Sequence, residues 1–155
     1  MSEKKLTGAV VTDEIRLRYD YALGEVAGKF MQGLKDGKIL ATHCSKSGLT
    51  YLPPRSFCER SFEPCDKWIE AGSGGVIEAS TVIVRGLEGK RKAPMAVAFV
   101  RLDGVDSAIA NYVEGLDLSD ANAAMEKIKP GVRVRVVFAP EREGKVTDFF
   151  FELAQ

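Results

Sequence analysis

The chain has 155 residues, of which 45% are hydrophobic and 28% charged, a composition typical of a soluble globular protein rather than a disordered or fibrous one. Its 22 basic and 22 acidic side chains cancel, so no net charge draws it towards nucleic acid or a membrane surface. Residues 1–5 are polar and precede no apolar signal segment, and no stretch reaches the ~18 apolar residues of a membrane helix, so we expect a cytoplasmic protein that binds neither membrane nor nucleic acid.

The first predicted element is a helix over residues 12–37. Thr12 is suited to the N-cap, and Gly37 to the left-handed position that ends a helix. The apolar residues that recur at helical spacing are Tyr19, Leu23, Val26, Ala27, Phe30 and Leu34. This apolar face is larger than a small neighbouring module can cover, so we expect it to pack against the rest of the chain or against a partner.

A short, cysteine-rich segment follows over residues 38–67. It contains all three cysteines, Cys44, Cys58 and Cys65, together with the single histidine, His43. The segment has few apolar residues of its own, and disulfides are disfavoured in the cytosol. A metal ion is therefore the expected means of stabilising it.

The chain after Trp68 is rich in predicted strands. The five strands fall at residues 75–85, 94–102, 108–113, 132–138 and 146–153. A short helix, capped by Ser119 and ended by Pro130, lies between the third and fourth strands. The order β-β-β-α-β-β is that of an OB-fold, a small Greek-key barrel, although counting alone leaves other five-stranded barrels open.

The motifs around the cysteines occur in a definite order. The order is Cys44-Ser45-Lys46-Ser47-Gly48, Pro53-Pro54-Arg55, Cys58-Glu59-Arg60-Ser61, and then Trp68 with Gly72 and Gly74. It resembles the zinc-ribbon/OB-fold proteins found beside thiolases and related acyl-CoA condensing enzymes. The resemblance implies an α+β, mainly β, fold with an N-terminal helical segment (1–37), a rubredoxin-like zinc ribbon (38–67) and a C-terminal five-stranded OB-fold barrel (68–155).

The chain departs from this family at the metal ligands, because Ser47 and Ser61 replace the second cysteine of each knuckle. A serine hydroxyl is a poor zinc ligand at neutral pH. Two interpretations stay open. Either a structural zinc site is rebuilt from Cys44, Cys58 and Cys65, with His43 or a water as the fourth ligand, or the ribbon has lost its metal and packs as an apolar remnant.

His43 is the weakest of these candidate ligands, because neighbouring residues on an extended strand point to opposite faces. The alternative is a surface side chain. The same geometry argues against His43 and Cys44 as a catalytic base and nucleophile.

Basic and aromatic side chains suggest further contacts. Arg85, Lys90, Arg91 and Lys92 form a basic turn between the first two barrel strands. It is either a solvated turn or a contact for the phosphates of coenzyme A or for nucleic acid. Arg55 is expected to join the ribbon to the barrel through a carboxylate, with ligand contact as the alternative. Phe150 is expected on the face opposite the core, as part of an interface.

The resemblance implies a non-catalytic accessory subunit of a thiolase-type acyl-CoA or acyltransferase complex. A thiolase-like protein would be the partner in a hetero-oligomer, and a coenzyme A thioester would bind at the interface. The sequence itself offers no catalytic constellation of nucleophile, base and oxyanion loop. A single-stranded nucleic-acid-binding OB-fold protein and a free-standing acyl-CoA-binding protein remain as alternatives.

Overall fold

The computed structural model describes Leu17, residues 20–85 and residues 92–154. Its elements in chain order are α1 (Gly24–Lys35), β1 (Leu40–His43), β2 (Thr50–Tyr51), β3 (Lys67–Glu70), β4 (Gly74–Ile83), β5 (Met95–Leu102), β6 (Ile109–Val113), α2 (Ala121–Lys127), β7 (Arg133–Phe138), a 3-10 turn (Val146–Asp148) and β8 (Phe149–Leu153). None of the described helices is long and apolar enough to cross a membrane.

Helix α1 is shorter than predicted at its N-terminal end. It begins at Gly24, whose φ of +72° prevents a right-handed helix from continuing through it towards the N-terminus. Thr12 and Tyr19 lie outside the described residues, so the predicted cap is not tested. The other end agrees with the prediction, because Gly37 has a φ of +75° and the Lys38 amide donates to the Gly33 carbonyl.

The ribbon is a three-stranded antiparallel sheet in the order β2-β1-β3. Its two turns, the first knuckle (residues 44–48) and the second knuckle (residues 58–62), have the same hydrogen bonds. The amide of Gly48 donates to the Cys44 carbonyl, and the amide of Phe62 donates to the Cys58 carbonyl. Gly48 and Phe62 also share a positive φ, of 76° and 56°. Phe62 therefore occupies a backbone position that favours glycine.

The barrel is closed, with strand order β4-β5-β6-β8-β7 and with β7 hydrogen-bonded back to β4. All its strand pairs are antiparallel except β6 and β8, which run parallel. Val134 is buried while Arg133 and Arg135 are exposed, as the alternation along this strand predicts. These features confirm the predicted five-stranded barrel and the mainly β fold class.

Two local predictions in the barrel were wrong. The N-cap of α2 is Asp120 rather than Ser119, since the Asp120 carboxylate accepts the amides of residues 122 and 123 at 2.9 and 3.1 Å. The last predicted strand begins at Phe149 rather than at Val146. The buried Asp148 carboxylate accepts the amides of residues 143, 144 and 145, which fixes the preceding residues as a turn.

Helix, ribbon and barrel share one hydrophobic core. Its buried members include Phe30 and Leu34 from α1, Leu52 from the ribbon, and Val100 and Phe151 from the barrel. The predicted domain boundaries at residues 37 and 67 therefore divide segments that contribute to a single core. The second boundary falls within β3, which belongs to the ribbon sheet.

Four hydrogen bonds join β2 and the residue just after it to the loop that follows β5. The Thr50 amide donates to the Asp106 carboxylate and the Asp106 amide returns to the Thr50 carbonyl, both at 2.8 Å. The Leu52 amide donates to Ser107 Oγ at 2.7 Å, and this hydroxyl donates to the Leu52 carbonyl at 2.9 Å. The ribbon is thus fixed to the barrel by its backbone as well as by the shared core.

Candidate functional site

The two knuckles bring two cysteines and two serines together. Cys44 Sγ lies 3.3 Å from Ser61 Oγ, and Cys58 Sγ lies 3.2 Å from Ser47 Oγ. Each cysteine therefore contacts the serine of the opposite knuckle. The exposed fractions of the two cysteines are 0% and 1%, so both sulfur atoms are removed from solvent.

Tyr51, on β2, completes this cluster and was missed by the sequence reasoning. Its hydroxyl lies 3.3 Å from Cys58 Sγ, and the backbone amide of Ser61 donates to the same sulfur at 3.4 Å. Its ring is buried against the two cysteines. A tyrosine on a two-residue strand belongs to no metal-site or catalytic motif. The sequence therefore gave no signal that its hydroxyl would contact a cysteine seven residues away. We call Cys44, Ser47, Tyr51, Cys58 and Ser61 the ribbon cluster.

The hydrogen bonds of the ribbon cluster shift its acidities. Burial alone would raise the pKa of the Cys58 thiol, but the hydrogen bonds with the two serines, the tyrosine and the Ser61 amide together lower this pKa to about 5. The pKa of Cys44 is also lowered, chiefly by its hydrogen bond with Ser61. In contrast, the hydrogen bond with Cys58, together with burial, raises the pKa of Tyr51 to about 12. Tyr51 therefore keeps its proton and can donate it to sulfur.

The other two predicted ligands are placed differently. Cys65 is partly exposed and packs against the ribbon cluster, and burial raises the pKa of its thiol. His43 is directed to β2, with Nδ1 3.0 Å from Thr50 Oγ1. Within the described ranges, no three or more histidine, cysteine, aspartate or glutamate side chains are placed to hold a metal ion. The structure thus unites Cys44 and Cys58 but does not assemble the proposed four-ligand set.

The side chains in the ribbon cluster do not match the donors of a structural zinc site. Such sites use four thiolate or imidazole donors in tetrahedral arrangement. The ribbon cluster offers two cysteine sulfur atoms, two aliphatic hydroxyls and a phenol, which hydrogen-bond to one another. Hydroxyls of serine and tyrosine hold their protons far more tightly than a thiol does, so the set favours hydrogen bonds over zinc coordination.

Arg55 does not join the ribbon to the barrel, as the sequence had suggested. Its guanidinium pairs with Glu59 at 2.6 Å within the ribbon and lies 5.0 Å from the centre of the Tyr51 ring. The carboxylate that it meets is four residues further along the chain, in the second knuckle. Arg55 therefore covers the outer face of the ribbon cluster.

The basic turn between β4 and β5 is described only at its ends. Arg85 and Lys92 are exposed. Lys90 and Arg91 lie outside the described residues. Contact of this turn with coenzyme A therefore stays a prediction.

An apolar groove runs along α1, between this helix, the proline pair and the barrel. It consists of two adjoining cavities of about 410 and 620 Å³, which share Ala27 and Pro54. The larger cavity is lined by Leu23, Gly24, Glu25, Val26, Ala27, Pro54, Arg55, Ser56 and Phe57, and the smaller by Ala27, Phe30, Met31, Pro53, Pro54, Phe99, Ala108, Ile109, Ala110 and Val146. We call this surface the helix groove.

Two aromatic side chains of the helix groove remain open to solvent. Phe57 is 56% exposed and Phe99 is 52% exposed. Phe150, which the sequence placed opposite the core, is half-buried and pairs with Val137 in the barrel sheet. Phe99 lies between the buried Ala98 and Val100 and shares the outward face of β5 with the exposed Arg101, so the alternation along this strand could have identified it, although the sequence reasoning did not single it out.

The buried polar side chains of the described ranges serve the backbone or one another. Asn111 donates to the carbonyls of residues 146 and 149, and Asp148 accepts three amides. Thr42 bonds both to the amide and to the carbonyl of Arg55, and Thr50 bonds to His43. In these ranges no buried side-chain nitrogen or oxygen lacks a partner. These groups are therefore committed to the fold.

Comparison with known proteins agrees with this architecture. Residues 31–64 match the family model described as ChsH2, rubredoxin-like zinc ribbon domain. A DUF35-family protein of unknown function from Sulfolobus solfataricus has a TM-score of 0.62 at 23% identity, over 84% of this chain and 87% of that chain. A chain of the Ltp2-ChsH2(DUF35) aldolase has a TM-score of 0.65 at 17% identity, over 83% and 94%. No curated protein sequence matches this chain significantly. The recognition of a zinc-ribbon fold of the DUF35 type is confirmed.

Proposed function

We propose that this chain is a non-catalytic subunit of a thiolase-type acyl-CoA enzyme, which it stabilises by docking through the helix groove. The observation that carries the proposal is the fold that this chain shares with a chain of the Ltp2-ChsH2(DUF35) aldolase, over 83% of this chain and 94% of that one. That assembly pairs a DUF35 protein with a second component. By analogy, this chain would be the accessory component of a two-component enzyme.

The buried polar side chains support a role without chemistry of its own. A general base or nucleophile needs a side chain that is free to exchange a proton with a substrate. The buried carboxylate Asp148 and amide Asn111 are held by backbone groups, and the two buried thiols lie beneath the knuckle turns. We therefore assign the acyl-CoA chemistry to the partner.

The helix groove has the composition of a protein interface. Its smaller cavity is almost entirely apolar. Each cavity has one exposed aromatic side chain in its lining, Phe57 in the larger and Phe99 in the smaller. Glu25 and Arg55 add charge at the end beside α1. Stable interfaces combine a desolvated apolar centre, aromatic anchors and a polar rim. A partner side chain inserted between Pro54 and Phe99 would bury the largest apolar part of this surface.

Coenzyme A belongs to the same proposal as a ligand shared with the partner. Its phosphates suit basic side chains, and the turn that carries Arg85, Lys90, Arg91 and Lys92 provides four of them. The thioester end would then lie in the active site of the partner. This chain would contribute to holding the nucleotide end of the molecule.

Co-expression with a candidate thiolase-like protein from the same genome tests the proposal. The complex should co-elute in size-exclusion chromatography, and the enzyme should lose activity or stability without this subunit. Phe99→Glu and Phe57→Glu should weaken the complex at least tenfold, because each places a charge in the apolar centre. The matched controls are Val84→Glu and Phe62→Glu, which alter residues that are 59% and 80% exposed and do not line the helix groove.

The results distinguish docking through the helix groove from the accessory role itself. If the controls disrupt the complex as strongly as the groove variants, docking occurs elsewhere on the chain. If the two proteins elute apart and the enzyme is equally active alone, the accessory role itself is refuted.

A further inference from the structure

We propose that the ribbon of this chain is held together without a metal ion, by the hydrogen bonds of the ribbon cluster. This inference is independent of the proposed function. It concerns what replaces the zinc of a rubredoxin-like ribbon when one cysteine of each knuckle has become a serine.

The replacement is symmetric in the structure. Ser47 follows Cys44 by three residues and Ser61 follows Cys58 by three, so both serines stand at the same place in their knuckles. Each serine then reaches across to the cysteine of the other knuckle, at 3.2 and 3.3 Å. The contacts cross between the knuckles, where a metal ion would join them.

Tyr51 fills the remaining hydrogen-bonding capacity at the centre. Its hydroxyl reaches Cys58 Sγ at 3.3 Å, and its ring is 4% exposed. Cys58 Sγ thereby contacts two hydroxyls as well as the amide of Ser61. A buried polar network of this kind is stable when each member has a partner, and this condition holds for the ribbon cluster.

The surroundings of the ribbon also reduce its need for a metal ion. Four hydrogen bonds that connect Thr50 and Leu52 to the loop after β5 tie it to the barrel, and Leu52 lies in the shared core. On the outer surface, Lys46 of the first knuckle pairs with Glu63 at 2.8 Å beside the second. A small module that is anchored in this way has less need of a metal to fold than an isolated ribbon has.

Metal analysis and a gain-of-site variant test the inference. The full chain, expressed in zinc-supplemented medium without a metal-affinity tag, should contain far less than one zinc per chain, and a chelator should leave its melting temperature unchanged. The double variant Ser47→Cys/Ser61→Cys restores four thiols at the knuckles and should bind one zinc per chain. Its melting temperature should become sensitive to the chelator.

A second measurement tests the hydrogen bonds directly. Tyr51→Phe removes a single hydroxyl and should lower the melting temperature by about 2–6 °C, because a buried hydrogen bond is lost. Arg60→Ala, which alters an exposed residue of the second knuckle, should leave it unchanged. Titration of the denatured chain should find three free thiols, those of Cys44, Cys58 and Cys65.

The opposite results overturn the inference. If the unaltered chain contains close to one zinc whose removal lowers the melting temperature, the ribbon holds a metal. If Cys65→Ser also abolishes this zinc, the site is the rebuilt one with Cys65 as a ligand. If Tyr51→Phe melts like the unaltered chain, the ribbon cluster does not hold the knuckles together.

Discussion

Replacement of Leu34 by alanine tests whether α1 is part of the fold or an appendage that a partner must hold. Leu34 lies near the end of α1, is 0% exposed and belongs to the core that the ribbon and the barrel share. Truncation of a fully buried leucine removes its transfer free energy and leaves a cavity, at a typical loss of about 2–5 kcal/mol. For a chain of this size, a loss of about 3 kcal/mol lowers the melting temperature by roughly 6–12 °C.

Thermal and urea unfolding, followed by circular dichroism, measure this loss. Leu23→Ala is the matched control, because Leu23 precedes the helix and is 45% exposed, and it should change the free energy of unfolding by no more than about 0.5 kcal/mol. The transition of Leu34→Ala should remain single, since helix, ribbon and barrel share the core. A loss below about 1 kcal/mol, or a separate early transition with an unchanged barrel, would refute the assignment of α1 to that core.

Four further substitutions test local features. Gly75→Ala should destabilise the barrel by about 1–3 kcal/mol in urea unfolding, because the added Cβ would lie 2.7 Å from a carbonyl oxygen of β5. Its control is Gly28→Ala on α1, where the added Cβ meets no atom within 4 Å, and this change should stabilise the protein by about 0.5–1 kcal/mol. Phe62→Gly should maintain or raise the melting temperature, since it relieves a φ of 56° at an 80% exposed side chain, and a clear fall would contradict this strain. Arg133→Gln should raise the pKa of Asp103 towards its ordinary 3.8 in an NMR titration, because hydrogen bonds from Arg133 lower this pKa. Because the pKa of Asp103 is lowered in the folded protein, its ionised form stabilises the fold at pH values above 3.8, and this stabilisation is lost as the pH falls through the lowered pKa. If Asp103 titrates at the same pH in Arg133→Gln, Arg133 does not cause the lowered pKa.

The sequence predicted the barrel well because its strands alternate regularly. Val134 between Arg133 and Arg135 is the clearest example, and the end of α1 at Gly37 was marked just as plainly. The start of α1 was not, because apolar spacing continues upstream of Gly24 while the backbone conformation does not. The choice between Ser119 and Asp120 as a cap was undecidable from residue type, since both are good caps.

The candidate site was predictable in outline and not in detail. Spacing identified Cys44 and Cys58 and the serines that follow them, but the crossing of each cysteine to the opposite serine depends on the pairing of two knuckles in space. Tyr51 entered the site through the register of β2 on β1, which the sequence does not define. A cytoplasmic location, the lack of nucleic-acid binding and the contact with coenzyme A stay predictions.

The hydrogen bonds between β2 and the loop after β5 bear on how this ribbon can change its sequence. They connect positions 55 and 56 residues apart, so the ribbon has its full set of stabilising contacts only when the loop after β5 is folded as well. Because the barrel holds the ribbon in place, hydrogen bonds between the knuckles can replace a metal ion without a change in the ribbon fold. A serine in place of one cysteine in each knuckle is then compatible with the same ribbon fold.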